Sequence, residues 1–394
     1  MKRRSFARWM PGLLVLASLG CPAPTPTTTP EPTPTAVTPS KPDAPRPAVD
    51  VFVAVSSRDQ HSCAVRERGQ VLCWGKNTYG QLGDGTREDR SQPVRVAGVD
   101  DAVEVAVGRG FSCARRRSGQ VACWGDNQDG QLGDGKGGRP KIITPTAVAV
   151  FGLRDVAQLS AGDDFACARL RDGSVRCWGN AESGQLGSDS QRVFASPRTI
   201  PDVVGTVDLA CGGAHVCAVD GRGKVLCWGR NTEGQLGDGQ SGSRVRAVEV
   251  KGMLDAVDVA SGANHSCVRR KGGPIACWGD NGSGQLGAGA RHERKRHEPV
   301  AVAGLSQIVA LAGGGNHSCA LGHNGRVSCW GGNEAGQLGT SASAPHESPH
   351  VIRHLEHATA LALGAHHGCA ARSDGDVVCW GSNEHGALGS RPLH

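Results

Sequence analysis

Fourteen of the sixteen cysteines in this 394-residue chain stand in seven pairs ten residues apart: Cys63 and Cys73, Cys113 and Cys123, Cys167 and Cys177, Cys217 and Cys227, Cys267 and Cys277, Cys319 and Cys329, Cys369 and Cys379. Thiols so paired either hold a soft metal or are oxidised to cystine. Structural zinc draws on cysteines two to four residues apart, and none of these pairs has that spacing. The residues between the cysteines point to oxidation. Just past the midpoint of each interval stands a glycine (Gly69, Gly119, Gly173, Gly223, Gly273, Gly325, Gly375). That is where a three-residue hairpin loop requires the left-handed conformation. With Glu67, Arg68 and Gly69 as the loop, Arg66 faces Gln70. Counting outward then sets Cys63 opposite Cys73 in a non-hydrogen-bonded antiparallel pair, with Cα atoms ~4.5 Å apart and within disulfide range. The spacing predicts seven cross-strand disulfides. Cys211 is left over and reads as a small buried thiol.

The second reactive set is histidine. Two residues before each first cysteine stands His61, Phe111, Phe165, His215, His265, His317 or His367. Five imidazoles at one repeat position invite a metal or proton-transfer role. Equivalent positions on stacked sheets lie roughly 10 Å apart, too far to share one ion, and Phe replaces His twice. Packing and hydrogen bonding are the expected roles.

These residues belong to a repeating frame. Cys-Trp-Gly followed by Gly-Gln-Leu-Gly recurs with its tryptophan at Trp74, Trp124, Trp178, Trp228, Trp278, Trp330 and Trp380, 50 to 54 residues apart. That period suits one four-stranded sheet with its turns and is too short for a domain of its own, so the units must stack. A small-residue stretch such as Val105-Ala106-Val107-Gly108 suits a strand near a crowded axis, and Pro93-Val94-Arg95-Val96, with proline at its start, suits an outer edge strand. Seven such sheets close into a ring. The expected fold is all-β, a seven-bladed β-propeller of four-stranded blades over residues 49–394. The tryptophans are expected to pack between blades. The last repeat stops where another copy would begin its outer strand, so strand sharing between the two ends is expected to close the ring.

Ahead of the repeats, a basic cluster, the apolar run Leu13 to Leu19, then Gly20 and Cys21 read as an export signal over residues 1–20. Ala17-Ser18-Leu19-Gly20-Cys21 resembles a bacterial lipobox, in which Cys21 receives a diacylglycerol; an ordinary secretory cleavage nearby is the alternative. Residues 21–48, rich in Pro and Thr, cannot bury enough surface to fold and form a disordered linker. Pro22 rather than Asp after Cys21 points to the outer membrane, on a side left open. Forty-three Lys and Arg against 37 Asp and Glu give +6; loss of Lys2, Arg3, Arg4 and Arg8 with the signal leaves +2. Such a balance supplies no general field for nucleic acid.

Gly-x-x-His-Ser-Cys-Ala followed by Gly-x-Val-x-Cys-Trp-Gly-x-Asn-x-x-Gly-Gln-Leu-Gly resembles the repeat of the regulator-of-chromosome-condensation family, in seven copies over residues 51–394. Ala181 for Asn, Ala387 for Gln and Arg58 for Gly are isolated departures. The resemblance implies a seven-bladed propeller. In the eukaryotic founder it implies nucleotide exchange on a small GTPase and chromatin binding, but no GTPase-inserting loop is marked here and an exported protein would not meet one. In bacterial relatives it implies a rigid surface for protein recognition. Asp172-Gly173-Ser174-Val175-Arg176-Cys177-Trp178 echoes a sialidase Asp box only superficially, since its Asp-to-Gly spacing is wrong.

With these residues assigned to the scaffold, function falls to the variable loops after each Gly-Gln-Leu-Gly. Their basic residues are the candidate partner-binding set: Lys136, Arg139 and Lys141; Arg244 and Arg246; Arg291, Arg294, Lys295 and Arg296. The expectation is a non-catalytic, monomeric envelope lipoprotein without cofactor or metal, binding a protein or anionic envelope polymer. The alternatives are a propeller hydrolase or lyase acting on such a polymer and, by family analogy, nucleotide exchange. The chain carries no nucleophile elbow and no paired-carboxylate motif.

Overall fold

The computed structural model describes residues 50–137, 142–188, 192–289, 293–341, 343–390 and 392–393. The expected signal peptide, Cys21 and the Pro/Thr linker lie outside them, as do Arg139, Lys141 and Arg291.

The first repeat sets the pattern. Strands β1 (Phe52–Arg58), β2 (His61–Arg66), β3 (Val71–Gly75) and β4 (Arg90–Arg95) form an antiparallel meander. Gly69 has φ of 96°, Gly69 N–H donates to Arg66 O and Arg66 N–H to Gln70 O, both at 2.8 Å. This is the type I turn with a glycine bulge that the cysteine spacing requires. Cys63 therefore faces Cys73 and is bonded to it, and the other six pairs are bonded in the same register with Cα atoms 4.0 to 4.1 Å apart.

The outer strand runs longer than its proline suggests. Pro93 lies inside β4, between the pairs Gly75–Arg90 and Cys73–Val94, where the register slips. Pro299 sits in the matching irregularity of the fifth blade, between Gly279–Arg296 and Cys277–Val300. A bulge leaves one residue outside the ladder, so proline's missing N–H removes no hydrogen bond.

Six blades have four strands, and the seventh has three (Ala358–Leu363, His367–Arg372, Val377–Gly381). In place of its fourth strand, Pro392 forms a single parallel bridge to Cys379, and Leu393 N–H donates to Cys379 O. The seventh blade thus departs from the four-stranded expectation. Nor do the described residues share a strand between the chain ends, because the described chain begins on the inner strand β1 with no outer strand before it. The ring closes instead as every other pair of neighbours meets. Trp74 Nε1 of the first blade donates to Ala387 O of the seventh at 2.9 Å, and Ser62 meets His367 at 2.8 Å.

The apolar interior lies between blades rather than within them. Each cluster combines the disulfide of one blade with the tryptophan of the next, as Cys63, Cys73, Leu82 and Val96 combine with Trp124. All seven repeat tryptophans are fully buried. Gly83 (φ 71°) packs on the Trp124 ring so closely that a Cβ would lie 2.8 Å from it. A flat sheet face alone would leave these side chains wet, so each blade needs its neighbour.

The strand directions give the ring two faces. On the loop face lie the turns from first to second strand and the loops after Gly-Gln-Leu-Gly. On the hairpin face lie the disulfide-clasped hairpin turns, the links between blades and the starts of the inner strands. No helix among the described residues is long and apolar enough to cross a membrane.

Candidate functional site

Most of the polar side chains that define the repeat are used up in joining blades. The indole N–H of every repeat tryptophan donates to a carbonyl of the preceding blade at 2.8 to 2.9 Å, Trp124 to Gln81 O being typical. Since the acceptor is backbone, Ala387 serves Trp74 as well as a glutamine would. Asn77 Oδ1 accepts from Leu82 N–H at 3.0 Å and Gln81 Oε1 from Tyr79 N–H at 2.9 Å, folding the Gly-Gln-Leu-Gly loop onto itself.

The histidines join blades too. His61 Nε2 meets Ser112 Oγ of the next blade at 2.9 Å, and His215–Ser266, His265–Ser318 and His367–Ser62 repeat the contact at 2.8 Å. Ser112, Ser266 and Ser318 spend their own hydrogens on Gln81 O, Gln235 O and Gln285 O. Their histidines must therefore donate from Nε2 and leave a bare Nδ1, which has no partner in His61, His215 and His265. Burial pushes the imidazoles down, to about 3 in His61, His215 and His317 and about 4 in His265 and His367. They stay neutral.

The two phenylalanines obey the same rule. Phe111 and Phe165 precede blades that carry Ala166 and Val216 where serine would stand, so no hydroxyl is there to receive a donor. His317 is the exception. It faces a blade with Gly368 at that position, and both its ring nitrogens are without partner.

What remains for recognition is the loop face. Among its basic candidates, Lys136 and Arg294 are exposed, with no partner for their charged groups among the described residues. The others are engaged. Lys295 donates to Thr232 O of the neighbouring blade at 3.2 Å, Arg296 pairs with Glu293 at 2.6 Å and Arg244 with Asp238 at 3.3 Å. Arg246 is not on the loop face; it lies on the outer wall and reaches Asp202 at 3.6 Å.

The loop-face mouth of the axial channel holds a charged cluster that spacing alone does not reveal. Arg58 stands where six repeats have glycine, and its guanidinium crosses toward the third and fourth blades. Nε donates to Asp163 at 2.9 Å, and Nη1 lies 3.4 Å from the carbonyls of Ala161 and Cys211. Arg109 pairs with Asp164 beside it. A cavity of about 130 Å³ remains, lined by these charges on one side and by Gly313, Gly314, Gly315 and Ala365 on the other. Burial pushes Asp164 up to about 6 and also raises Asp59, against the pull of nearby cations. Arg58 ties three blades together across the mouth.

Nearer the other mouth, equivalent positions of successive inner strands carry Glu104, Gln158, Asp208 and Asp258. Arg169 donates to Gln158 at 3.1 Å, Gln158 to Asp208 at 2.6 Å, and Asp258 bonds Asp208 and accepts from Arg269 at 3.3 Å. Burial, then the Asp208 carboxylate, push Asp258 up to about 7. Burial beside a second carboxylate one repeat away thus holds the Asp258 carboxyl above the ordinary carboxylate range. No sequence motif marks the pair, although equality of repeat position was a usable signal. Among the described residues no three His, Cys, Asp or Glu are grouped to hold a metal ion.

Residues 101–393 match the model of the RCC1-like domain, and residues 52–81 and 68–115 match models of the regulator of chromosome condensation (RCC1) repeat. The E3 ubiquitin-protein ligase HERC2 of Homo sapiens is 29% identical over 164 residues, which is 41% of this chain and 3% of that protein. The ultraviolet-B receptor UVR8 of Arabidopsis thaliana is 30% identical over 135 residues, 34% of this chain and 30% of the receptor. The chain thus spans less than a third of these relatives. Among solved structures, yeast RCC1 (Prp20) bound to Kap60 superposes with a TM-score of 0.74 at 22% identity, covering 91% of this chain and 88% of that one. Human WBSCR16 gives 0.72 at 23% identity, covering 82% and 92%.

Proposed function

From the premise that this chain belongs to the RCC1-like repeat family, we propose that it is a non-catalytic recognition scaffold of the cell envelope, exported and lipid-anchored through Cys21, whose loop face binds a protein partner. One observation carries the recognition role. The tryptophans and four of the five repeat histidines form bonds between blades, and the Asn and Gln side chains close the loops, so what varies between copies is a set of loops on a rigid ring. Loops held by a rigid frame lose little entropy on binding. Asp163 is held by Arg58, Asp164 by Arg109 and Asp208 by Gln158, which favours a structural part for these carboxylates.

The envelope setting draws on seven disulfides, which persist in oxidising compartments, and on the lipobox ahead of Cys21. Capture from envelope extract on immobilised chain, with Lys136→Glu/Arg294→Glu beside it, tests the reading. The expected result is a specific partner whose recovery falls with the charge reversal. Equal recovery on both baits removes the basic loop residues from the interface. Incorporation of radiolabelled palmitate that depends on Cys21 tests the anchor separately.

A further inference from the structure

The apolar side chains that miss the cores are not scattered. Eight large ones are exposed among the described residues; seven belong to the hairpin face, and Val351 ends an outer strand. Val204 and Leu254 occupy the same position in successive blade links and are 73% and 71% exposed; Phe151, in another link, is 68% exposed. Val207, Val257 and Val309 share a second position, the extra residue of the bulge in each inner strand. Equivalent positions on a ring of blades lie in one plane across its axis, so the tips form a flat array. Exposed apolar tips gathered on one face that no other part of the described chain covers mark an interaction site.

Charge on this face narrows the partner. Several of its carboxylates are matched within the fold, Asp101 by Arg116, Asp202 by Arg246 and Asp255 by Arg270, while Glu67, Asp155 and Asp172 are exposed without a salt-bridge partner among the described residues. Arg117, Arg154, Arg171 and Lys271 are exposed and have no side-chain partner among the described residues. Apolar tips set among free cations in one plane match a bilayer surface that carries anionic head groups. The chain itself supplies a third observation. It joins the propeller through Asp50 and Val51 at the start of β1, on this same face, and the segment before them carries Cys21.

We propose that the hairpin face docks on an anionic lipid surface, with Phe151, Val204 and Leu254 entering the interfacial layer and Arg117, Arg171 and Lys271 meeting lipid phosphates, while the loop face points away toward its partner. The docking rests on the anchored reading only for which membrane is met. A diacylglycerol on Cys21 tethers the chain without orienting it, and a second contact of this kind sets which face meets the bilayer.

The test uses the unlipidated chain from Pro22 onward, since Ala48–His394 forms a unit of its own, and its sedimentation with phosphatidylglycerol/phosphatidylethanolamine vesicles. Binding is expected, with weaker binding to phosphatidylcholine alone. Val204→Asp/Leu254→Asp should lower partitioning at least about tenfold, and Arg117→Glu or Arg171→Glu on the order of fivefold each. Lys136→Glu/Arg294→Glu, on the loop face, should change nothing. The substituted sites are exposed, and unchanged circular dichroism confirms folding of each variant. Failure of the parent chain to bind the anionic vesicles, or equal binding by Val204→Asp/Leu254→Asp, overturns the proposal. So does a dimer abolished by that variant while vesicles stay unbound, which would give the face to a second copy of the chain. Vesicle binding with no palmitate on Cys21 in cells upholds the docking and refutes the anchor.

Discussion

Exchanging His265 and Ser318 together for the Phe–Ala combination found between the second and third blades should remove both a hydrogen bond and a pH dependence. His265 donates to Ser318 Oγ at 2.8 Å, and Ser318 donates onward to Gln285 O at 3.0 Å. Ser318→Ala alone leaves the buried Nε2–H of His265 without an acceptor, at a cost of about 1 to 3 kcal/mol. His265→Phe alone leaves Ser318 its Gln285 acceptor, so the cost is nearer 1 kcal/mol. In the double variant nothing buried is stranded, and a coupling of about 1 to 2 kcal/mol should appear in the cycle.

The pH term follows from burial. In the fold His265 is held at about 4, against 6.5 when exposed. Below pH 6.5 the unfolded chain takes up a proton that the folded chain refuses, so stability present above that pH is lost as pH falls toward about 4. Between pH 8 and pH 5 this amounts to about 1.5 pH units at 1.36 kcal/mol each, or about 2 kcal/mol. Urea unfolding at pH 8 and pH 5, disulfides intact and followed by tryptophan fluorescence, measures both terms. The double variant should lose about 2 kcal/mol less than the parent on acidification. An unchanged pH dependence, or a Ser318→Ala variant as stable as the double one, refutes the assignment.

Two further outcomes are expected. Replacing Cys267 and Cys277 together by alanine should cost about 2 to 3 kcal/mol, from the chain entropy returned to the unfolded state, with faster amide exchange concentrated in the fifth blade; protection unchanged there would deny the bond a structural role. Asp258→Asn should stabilise the fold, by about 1 to 3 kcal/mol at pH 8, and by less at pH 5. In the fold this carboxyl is pushed up to about 7 by burial and by Asp208, from 3.8 when exposed, so the fold is penalised increasingly as pH rises from 3.8 through about 7. Urea midpoints that shift equally at both pH values would contradict the raised Asp258 carboxyl.

The blade architecture was legible because it is local. Ten-residue cysteine spacing with a glycine at one fixed offset permits a single hairpin register, and a period of 50 to 54 residues permits one blade per copy. The Phe-for-His exchanges looked like noise along the chain. Their reason lies one repeat downstream, in Ala166 and Val216, and only the stacking of blades brings the two positions together.

Arg58, Asp163 and Cys211 belong to three different repeats, and nothing in any one of them announces that a guanidinium spans the channel. Asp208 likewise comes to raise the Asp258 carboxyl only when inner strands meet around an axis. The two faces part in the same way. Turn chemistry located the loops, but which apolar tips and unpaired cations end in one plane depends on ring closure, because a plane is a property of seven blades together and of none alone. The residues alone therefore determined the hairpins, the bonds within them and the number of blades. Tertiary structure decided which charges are spent and which face is left apolar, since neutralisation and burial depend on neighbours that lie a whole repeat or more away along the chain.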